Sequence, residues 1–567
     1  MGSISNSQPD TNGSNREQHV LLRTPIHANR HMRVITIGAG ASGLYMAYKL
    51  KHYFTDYTLD VYEKNPDIAG TWYENRYPGC ACDIPAHNYT FSFEPNYNWS
   101  ANYASSVEIF DYFKRFADKH DLNQYIKLEH EVVGAAWNEK TSEWAQTCDF
   151  LINAAGILNK WRWPAIPGID SFNGKLVHSA AWDQTLDVKG KHVGLIGNGS
   201  SGIQILPKMQ QVADHVTTFI REPTWVSPAL GMEYHEYSAD EQQKFAEQPG
   251  TLRTFRKDTE KNISAYFSLV LKGTATQEAA RNDIRQKMVA KIQDPDLRDK
   301  LIPDFQLGCR RMTPGVKYLE SLNEPNVTTI YGDITRVSPS AVIMNDDNEY
   351  PVDVLVCATG FDTTFKPRFP LIGRDGRDLA KEWEVDPQSY LGLAAAGFPN
   401  YFMYLGPNCP VANGPVILSI EIEGEFIAKV MNRWQKQGIA SFAPKDEVVA
   451  DLTLQKDLFM RETVWDDGCQ SWYKSPVTGK ITACWPGSTS HYLEALSEPR
   501  WEDFDIRYRG PRFAYLGMGF SQLEVNPNLD WTYYIRDEDD GSCLRLPVDG
   551  TFNAKDVTEK LTKLQRR

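Results

Sequence analysis

The chain contains one short pattern twice, and this repeat restricts its possible folds more than any other feature. Each copy has a run of β-branched and apolar residues, then a glycine-rich turn, then a segment of helical character. Each turn has three glycines, which are Gly38, Gly40 and Gly43 in the first copy and Gly197, Gly199 and Gly202 in the second. Glycines at this spacing permit a tight turn, close approach of a pyrophosphate, and close packing of the helix whose N-terminus favours phosphate. The repeat therefore predicts an α/β fold with two Rossmann-like dinucleotide-binding domains and two nucleotide cofactors.

The residue that ends the next strand differs between the two copies. Glu63 ends it in the first copy, where a carboxylate can accept hydrogen bonds from the ribose hydroxyls of FAD. Arg221 ends it in the second copy, where a guanidinium can bind a 2′-phosphate that a carboxylate would repel. We therefore expect FAD in the first copy and NADPH in the second, with Ser200 in the phosphate-binding turn. Glu222 directly follows Arg221 and opposes this preference.

Composition and the two repeats divide the chain into four parts. In chain order we expect a flexible tail (1–30), the first part of the FAD-binding domain (31–185), an NADP-binding domain (186–350) with a helical insertion at about 238–299, and a region that completes the FAD domain (351–567) and carries a mobile loop (466–480). A buried strand within 353–360 is expected to close the FAD domain near the flavin. A helix over 415–437 is expected to direct its positive end at the flavin.

Charge and cysteine content narrow the partners and the compartment. The formal net charge of −13 argues against a general binder of nucleic acids or anionic membranes, since phosphate binding needs a basic field. The sequence shows no signal region and no apolar run of the kind that spans a membrane. Its nine cysteines are odd in number and include no C-x-x-C pair, so we expect free thiols and a cytoplasmic location.

Two longer patterns identify a family. The first resembles the F-x-G-x-x-x-H-x-x-x-W-[P/D] fingerprint of the Baeyer–Villiger monooxygenases, a class of flavoprotein monooxygenases, and consists of Phe172, Gly174, His178, Trp182 and Asp183. The second is also similar to the family and reads Ala-Gly-Thr-Trp at 69–72, Tyr-Pro-Gly at 77–79 and then an aspartate, Asp83. The resemblance runs from about 33 to about 520 and looks closest to the branch that acts on bulky cyclic and polycyclic ketones.

The resemblance implies roles for several residues. Arg311 matches the active-site arginine and Asp83 the carboxylate that orients it, whereas Arg310 matches a basic residue that helps to hold the NADP phosphate. This pairing agrees with physics, because a buried guanidinium without a carboxylate would be costly. Trp472 matches the tryptophan of a mobile loop that orders when NADP binds. The expected flavin pocket also includes Thr71, Trp72 and Tyr89.

The reaction implied by the resemblance is an NADPH- and O₂-dependent Baeyer–Villiger oxidation. A C4a-peroxyflavin would insert one oxygen atom next to a ketone carbonyl and give an ester or lactone. Arg311 would keep the peroxide anionic and would stabilise the oxyanion of the tetrahedral adduct. The expected substrate is a cyclic or polycyclic ketone of secondary metabolism.

Several alternatives stay open from the sequence. The enzyme could oxygenate nitrogen or sulfur, which would not need Arg311, or it could be a flavoprotein that has lost oxygenase activity. His178 is either a linker residue that couples domain motion to the nicotinamide or a packed histidine. Trp72 and Trp472 are either site residues or ordinary packing aromatics. The stretch 144–149 is too short for the β-hairpin of the family, so only a stunted ribbon can form, which puts FAD affinity or expression in doubt.

Overall fold

The computed structural model describes residues 21–144, 148–227, 232–526, 528–532 and 535. The first 20 residues of the predicted tail, residues 145–147 of the shortened hairpin and residues 536–567 of the C-terminal region lie outside the described residues. In the described part the predicted α/β fold is confirmed, because two five-stranded parallel sheets form around the two glycine turns.

The strands, in chain order, are β1 (Met32–Ile37), β2 (Tyr57–Tyr62), β3 (Ile126–Lys127), β4 (Ala135–Asn138), β5 (Glu143–Trp144), β6 (Phe150–Asn153), β7 (Lys175–His178), β8 (His192–Ile196), β9 (His215–Ile220), β10 (Val327–Tyr331), β11 (Ile334–Val337), β12 (Ala341–Met344), β13 (Glu349–Pro351), β14 (Val354–Cys357), β15 (Leu371–Ile372), β16 (Tyr401–Met403), β17 (Ile439–Pro444) and β18 (Phe504–Tyr508).

The α-helices, in chain order, are α1 (Ala41–Tyr53), α2 (Thr71–Glu74), α3 (Ser106–Lys119), α4 (Ser200–Gln210), α5 (Ala239–Glu247), α6 (Pro249–Ala265), α7 (Ala275–Lys291), α8 (Pro295–Leu301), α9 (Tyr318–Ser321), α10 (Leu379–Glu382), α11 (Val416–Lys436), α12 (Asp446–Met460) and α13 (Thr489–Ala495). The predicted insertion therefore folds as α5 to α8, and the helix predicted over 415–437 is α11. Asn88 Nδ2 donates to Glu260 Oε2 at 2.8 Å and so joins the insertion to the first domain.

The first sheet contains the first repeat. Its strand order is β16-β6-β1-β2-β3, and each of its pairings is parallel. Strands β1 and β2 pair from Met32 with Tyr57 to Ile37 with Tyr62. Gly38 and Glu63 therefore follow the carboxyl ends of neighbouring strands, which is where open α/β sheets bind ligands.

The second sheet contains the second repeat and corrects one prediction. Its strand order is β10-β9-β8-β14-β7, again with parallel pairings. The expectation that the strand within 353–360 closes the FAD domain is wrong, because β14 pairs with β7 and β8 in this sheet. Its apolar sequence predicts a buried strand but carries no information about which sheet buries it. The predicted domain boundaries at 185 and 350 each separate strands that pair in this one sheet.

Both glycine turns depend on the same close approach of backbone atoms. A Cβ atom on Gly43 would lie 1.9 Å from the Gly38 carbonyl oxygen, and one on Gly202 would lie 2.0 Å from the Gly197 oxygen. The first glycines have φ angles of 100° and 104°, which L side chains rarely adopt. The first and third glycines are therefore steric requirements of the turn in both copies.

The structure also corrects the cysteine prediction. Cys309 and Cys469 form a disulfide with a Cα–Cα distance of 6.2 Å and a sequence separation of 160. The expectation of free thiols is wrong for this pair, because the fold brings together two cysteines that no local spacing connects. Six other cysteines are free and buried, and Cys543 lies outside the described residues. Within the described part, the structure has no helix that is both long and apolar enough to cross a membrane.

Gly43→Ala should destabilise the protein by about 1–3 kcal/mol, because the new methyl group overlaps the Gly38 carbonyl oxygen and the turn must shift. The matched control is Gly250→Ala in α6, where nothing lies within 4 Å of the new atom and alanine favours the helix. Thermal unfolding midpoints of the two variants test this, and equal midpoints would contradict the steric argument.

Candidate active site

The first glycine turn opens into a cavity of about 360 Å³. Six residues assigned to FAD from the sequence line it, namely Gly38, Gly40, Glu63, Thr71, Trp72 and Tyr89. Helix α1 begins at this cavity with Gly40 as its N-cap residue and without a side-chain cap, so its first amide groups can donate to phosphate oxygens. Gly43 lies behind the turn, where it permits packing. This arrangement fits the pyrophosphate of a dinucleotide.

Two backbone amides hold the Glu63 carboxylate at the end of β2. The Ala39 N–H donates to Oε2 at 2.8 Å, and the Asn65 N–H donates to Oε1 at 2.9 Å. Burial raises the pKa of Glu63, and these two hydrogen bonds act in the opposite direction. Each carboxylate oxygen keeps a second lone pair, which fits a ribose hydroxyl.

Trp72 and Tyr89 line one wall of the first cavity as a hydrogen-bonded pair. Trp72 Nε1 donates to Tyr89 Oη at 3.3 Å, and the rings meet edge to face with centroids 5.5 Å apart. Both residues are also buried in the core of the first domain. The two interpretations left open for Trp72, site residue and packing aromatic, are therefore compatible.

Helix α11 begins at the same cavity. Val416 and Ile420 in its first turns line the cavity beside Leu405. Leu405 has a φ of 54°, a left-handed conformation that costs a non-glycine residue about 1–3 kcal/mol. Its N–H donates to Glu423 Oε2 at 3.0 Å. Glu423 thus fixes a strained residue on the wall of the cavity.

Glu423 is a fully buried carboxyl group. Burial raises its pKa to about 8, although its hydrogen bonds with Leu405 and Tyr492 act in the opposite direction. The Tyr492 hydroxyl lies 2.8 Å from the Leu391 carbonyl oxygen and 3.2 Å from Glu423 Oε1. One hydroxyl hydrogen cannot serve both acceptors. A protonated Glu423 that donates to Tyr492, while Tyr492 donates to Leu391, satisfies the whole network.

The second glycine turn opens into a cavity of about 720 Å³. The residues assigned to NADP from the sequence that line it are Gly197, Gly199, Ser200, Arg221, Arg310 and Trp472. Gly202 lies behind this turn, as Gly43 does in the first. The surroundings of Gly199 are open, so a ligand can approach the backbone there.

Two of the arginines that line the second cavity, Arg221 and Arg310, repel each other. Arg221 is exposed, whereas Arg310 donates from Nη1 to the Pro223 carbonyl oxygen at 2.9 Å and lies 3.7 Å from Glu222 Oε2. Burial lowers the pKa of Arg310, while Glu222 raises it and the charge of Arg221 lowers it. A phosphate group would relieve the repulsion between the two arginines and accept their hydrogen bonds.

Arg311 lines the second cavity and is held by Asp83 from the first domain. Its Nε and Nη2 donate to the two carboxylate oxygens at 2.5 and 2.7 Å, and its Nη1 donates to the Val411 carbonyl oxygen at 3.2 Å. Burial acts to lower the pKa of Arg311, but the charge and hydrogen bonds of Asp83 outweigh it and raise the pKa. The bidentate pair therefore places a permanent positive charge on the wall of the cavity.

The loop at 466–480 lies against this site. Trp472 and Ser471 line the second cavity, and Trp472 meets Tyr473 edge to face with ring centroids 4.8 Å apart. Tyr473 is buried, which raises its pKa, and the nearby charge of Arg311 acts in the opposite direction. Trp472 and Arg311 thus line the same cavity; the roles expected for them and the mobility of the loop stay predictions.

The fingerprint residues pack in the connection between the sheets. A Cβ atom on Gly174 would lie 2.3 Å from the Asp353 carbonyl oxygen and 2.7 Å from the Phe172 ring. Asp183 pairs with Lys175 at 2.6 Å and lies outside both cavities described above. Trp182 lines a separate surface cavity of about 550 Å³. These contacts lie around β7, and none of the five fingerprint residues lines either cavity at a glycine turn.

His178 is buried at the end of β7. The Ala180 N–H donates to Nδ1 at 3.1 Å, so the ring proton resides on Nε2, which faces Thr359 Oγ1 at 3.3 Å. Its ring stacks on Trp161 with centroids 4.5 Å apart, and burial lowers its pKa to about 4. His178 is therefore a neutral, packed histidine whose partner Thr359 lines the second cavity. Its coupling to domain motion stays a prediction.

Sequence reasoning missed Tyr473, Glu423 and the disulfide. Tyr473 directly follows the predicted Trp472, but sequence does not show that its side chain points inward. Glu423 had a usable signal, because a carboxylate at helical spacing from Ile420 and Ile427 lies on the apolar face of α11. The pair Cys309–Cys469 gave no signal at its separation of 160 residues.

Comparisons with known proteins agree with this geometry. Residues 36–105 match the family model described as an NAD(P)-binding Rossmann-like domain. The FAD-binding monooxygenase tazF of Aspergillus terreus is 37% identical over 541 residues, which is 90% of this chain and 96% of that protein. A Baeyer-Villiger monooxygenase of Streptomyces coelicolor is 34% identical over 480 residues, which is 82% of this chain and 90% of that protein.

A solved structure matches most of the fold. The crystal structure of cyclohexanone monooxygenase from Rhodococcus sp. Phi1 bound to NADP+ superposes with a TM-score of 0.74 at 27% identity. The match covers 85% of this chain and 100% of the other.

Glu423→Gln should remove a pH dependence of stability. The native pKa of Glu423 is raised to about 8 from 4.5, so its contribution is fully present below about pH 4.5 and is lost as the pH rises through about 8. Each pH unit within that window costs about 1.4 kcal/mol at most. Glutamine keeps both hydrogen bonds, since its oxygen accepts from Leu405 and its amide donates to Tyr492.

The measurement is the unfolding midpoint of the native protein and of Glu423→Gln from about pH 5 to about pH 8. The native midpoint should fall relative to that of the variant. Glu447→Gln, at an exposed position in the first turn of α12, is the control and should follow the native protein. Parallel curves for all three proteins would contradict a protonated Glu423.

Proposed function

This chain belongs to the Baeyer–Villiger family of FAD-binding monooxygenases, and we propose that it uses NADPH and O₂ to insert one oxygen atom beside a ketone carbonyl, giving an ester or lactone. The observation that carries the proposal is Arg311, a fixed cation held by Asp83 on the wall of the second cavity. Oxygen insertion at a carbonyl develops negative charge on oxygen, which such a cation stabilises. An oxygenase for nitrogen or sulfur would have no use for it.

Each cofactor has a site whose chemistry fits it. FAD would be held in the first cavity by the N-terminus of α1 at its pyrophosphate and by Glu63 at its ribose. NADPH would be held in the second cavity by Arg221 and Arg310 at its 2′-phosphate. The N-terminus of α11 would supply partial positive charge to a flavin bound in the first cavity, which would favour the anionic reduced form.

The protein residues divide the remaining work. When bound and reduced by NADPH, the flavin supplies the activation of O₂. Arg311 stabilises negative charge on oxygen while the ketone carbonyl becomes tetrahedral. Asp83 keeps the guanidinium in place and keeps it charged. Trp472 covers the second cavity and excludes water from the nicotinamide side.

The substrate is a ketone, and a cyclic or polycyclic ketone of secondary metabolism is the class we propose. The cytoplasmic location expected from the sequence also stays a proposal. The decisive experiment measures NADPH consumption together with a mass gain of one oxygen across small, cyclic and fused-ring ketones. Sulfoxide from a thioether without any ester would favour the alternative oxygenase, and a yellow protein that consumes no NADPH with any ketone would favour a lost activity.

Arg311→Ala should consume NADPH but lose ester formation by about 100- to 1,000-fold, because a preorganised charge at the reacting oxygen is removed. The control is Arg336→Ala on the exposed face of β11, which should behave as the native enzyme. Arg311→Lys separates charge from geometry, since it retains the cation but not the bidentate pair. Ester yields from Arg311→Ala near those of the native enzyme would remove Arg311 from the reaction.

Arg221→Ala should raise the KM for NADPH by about 10- to 100-fold, the value of a lost charge-assisted hydrogen bond, and leave the KM for NADH unchanged. Glu222→Gln should change the KM for NADPH in the opposite direction, because it removes the carboxylate that repels the phosphate. Steady-state kinetics with both nucleotides tests the assignment. A parallel rise in both KM values would contradict a 2′-phosphate contact.

A further inference from the structure

The loop that carries Trp472 is attached to the segment that carries Arg311. The disulfide joins Cys469, near the start of the loop, to Cys309, two residues before Arg311. Beside it, the Gln306 N–H donates to Asp467 Oδ2 at 2.7 Å. The start of the loop is therefore fixed to the 306–309 segment by a disulfide and a hydrogen bond.

The loop is also closed upon itself. Lys474 Nζ donates to the carbonyl oxygens of Asp467 and Cys469, the latter at 3.1 Å. The Tyr473 carbonyl oxygen accepts from the Thr482 N–H at 2.9 Å. These bonds orient Tyr473, which is only 2% exposed, toward the interior rather than toward solvent.

The donors of Arg311 show what Tyr473 contributes. A guanidinium has five N–H donors, of which Asp83 accepts two and Val411 accepts one. Two donors remain, and Tyr473 lies close enough to Arg311 for that charge to act on the pKa of its hydroxyl, against the larger effect of burial. Asp83 and Val411 belong to the body of the protein, so Tyr473 is the contact through which the loop reaches the arginine.

We propose that Tyr473 is a positioning residue for Arg311 and that the Cys309–Cys469 disulfide holds the loop so that this contact persists. The arginine is then set in its reactive orientation only when the loop lies closed over the second cavity. This inference rests on the proposed function, because it assigns Arg311 its role there. Its consequence is that reducing the disulfide loosens the loop and separates NADPH oxidation from ester formation.

The chemistry of opening is a two-electron reduction. A phosphine attacks one sulfur, the S–S bond breaks, and water then converts the phosphonium to phosphine oxide while two thiols form. Cys309 is fully buried and Cys469 is 6% exposed, so reduction proceeds through Cys469 as the loop moves. Serine at both positions gives the same opened state without any reagent.

The first experiment removes only the hydroxyl of Tyr473. Tyr473→Phe should lower the ester formed per NADPH consumed by about tenfold, because displacing a reacting group by about 1 Å can cost up to about 100-fold in rate. The KM for NADPH should stay unchanged, whereas a general loss of structure would change it. The matched control is Tyr234→Phe, whose hydroxyl donates to Glu236 at the surface and whose removal should leave the ratio unchanged.

The second experiment removes the Cys309–Cys469 disulfide. In the full-length holoenzyme, the double variant Cys309→Ser/Cys469→Ser should show hydrogen exchange in 466–480 about tenfold faster or more, since a local opening free energy has been lowered. It should also lower the ratio of ester to NADPH as Tyr473→Phe does. Treatment with tris(2-carboxyethyl)phosphine should shift the native enzyme toward the double variant and leave the double variant unchanged.

The outcomes separate the two claims. Hydrogen exchange is measured without a ketone, so it tests whether the disulfide holds the loop, whatever reaction the enzyme catalyses. Unchanged exchange in the double variant, or an unchanged ester ratio in Tyr473→Phe, would overturn the inference while the proposed function stands. A native enzyme that forms no ester from any ketone would overturn the proposed function and with it the role of Tyr473, whereas faster exchange in the double variant would still support the hold of the disulfide on the loop.

Discussion

The ion pair between Arg311 and Asp83 is the interaction on which the site depends. Its partners are 228 residues apart and come from the segment after the helical insertion and from the loop that follows the first repeat. Both side chains are largely removed from water, at 28% and 16% exposure, so each charge would be costly there without the other. The pair forms only when both dinucleotide domains are folded against each other, and it places the charge on the wall of the second cavity.

The core next to the first cavity contains a buried carboxyl group without a cationic partner in the described part of the chain. Glu423 forms no ion pair with any described residue, and burial raises its pKa to about 8. The protonated form then serves as a neutral donor and acceptor that fixes Leu405 on the cavity wall and satisfies Tyr492. One buried group keeps its charge because a partner is supplied, and the other gives it up because none is. The first arrangement keeps a positive charge on the wall of the second cavity, and the second fixes the backbone on the wall of the first.

The most specific sequence pattern does not supply the chemistry. Phe172 and Gly174 allow a close approach to Asp353, and His178 is a neutral ring stacked on Trp161. Their link to the second cavity is the contact between His178 and Thr359, which lines that cavity. A pattern can therefore identify a family through residues that fix the connection between domains. Arg311, the residue proposed to stabilise charge on the reacting oxygen, lies instead in a short segment, Gly-Cys-Arg-Arg, that has little sequence signal by itself.

The sequence alone determined the two nucleotide-binding units, because their turns require glycine for local steric reasons that hold wherever the unit lies. It also showed that Glu63 and Arg221 directly follow the second strand of each unit, because the end of a strand can be read from the local pattern. Only the tertiary structure decided that β14 joins the second sheet, that Cys309 meets Cys469, and that Tyr473 reaches Arg311. These are contacts between residues far apart in the chain, and they depend on how whole elements pack, which no local pattern of apolar and polar residues encodes.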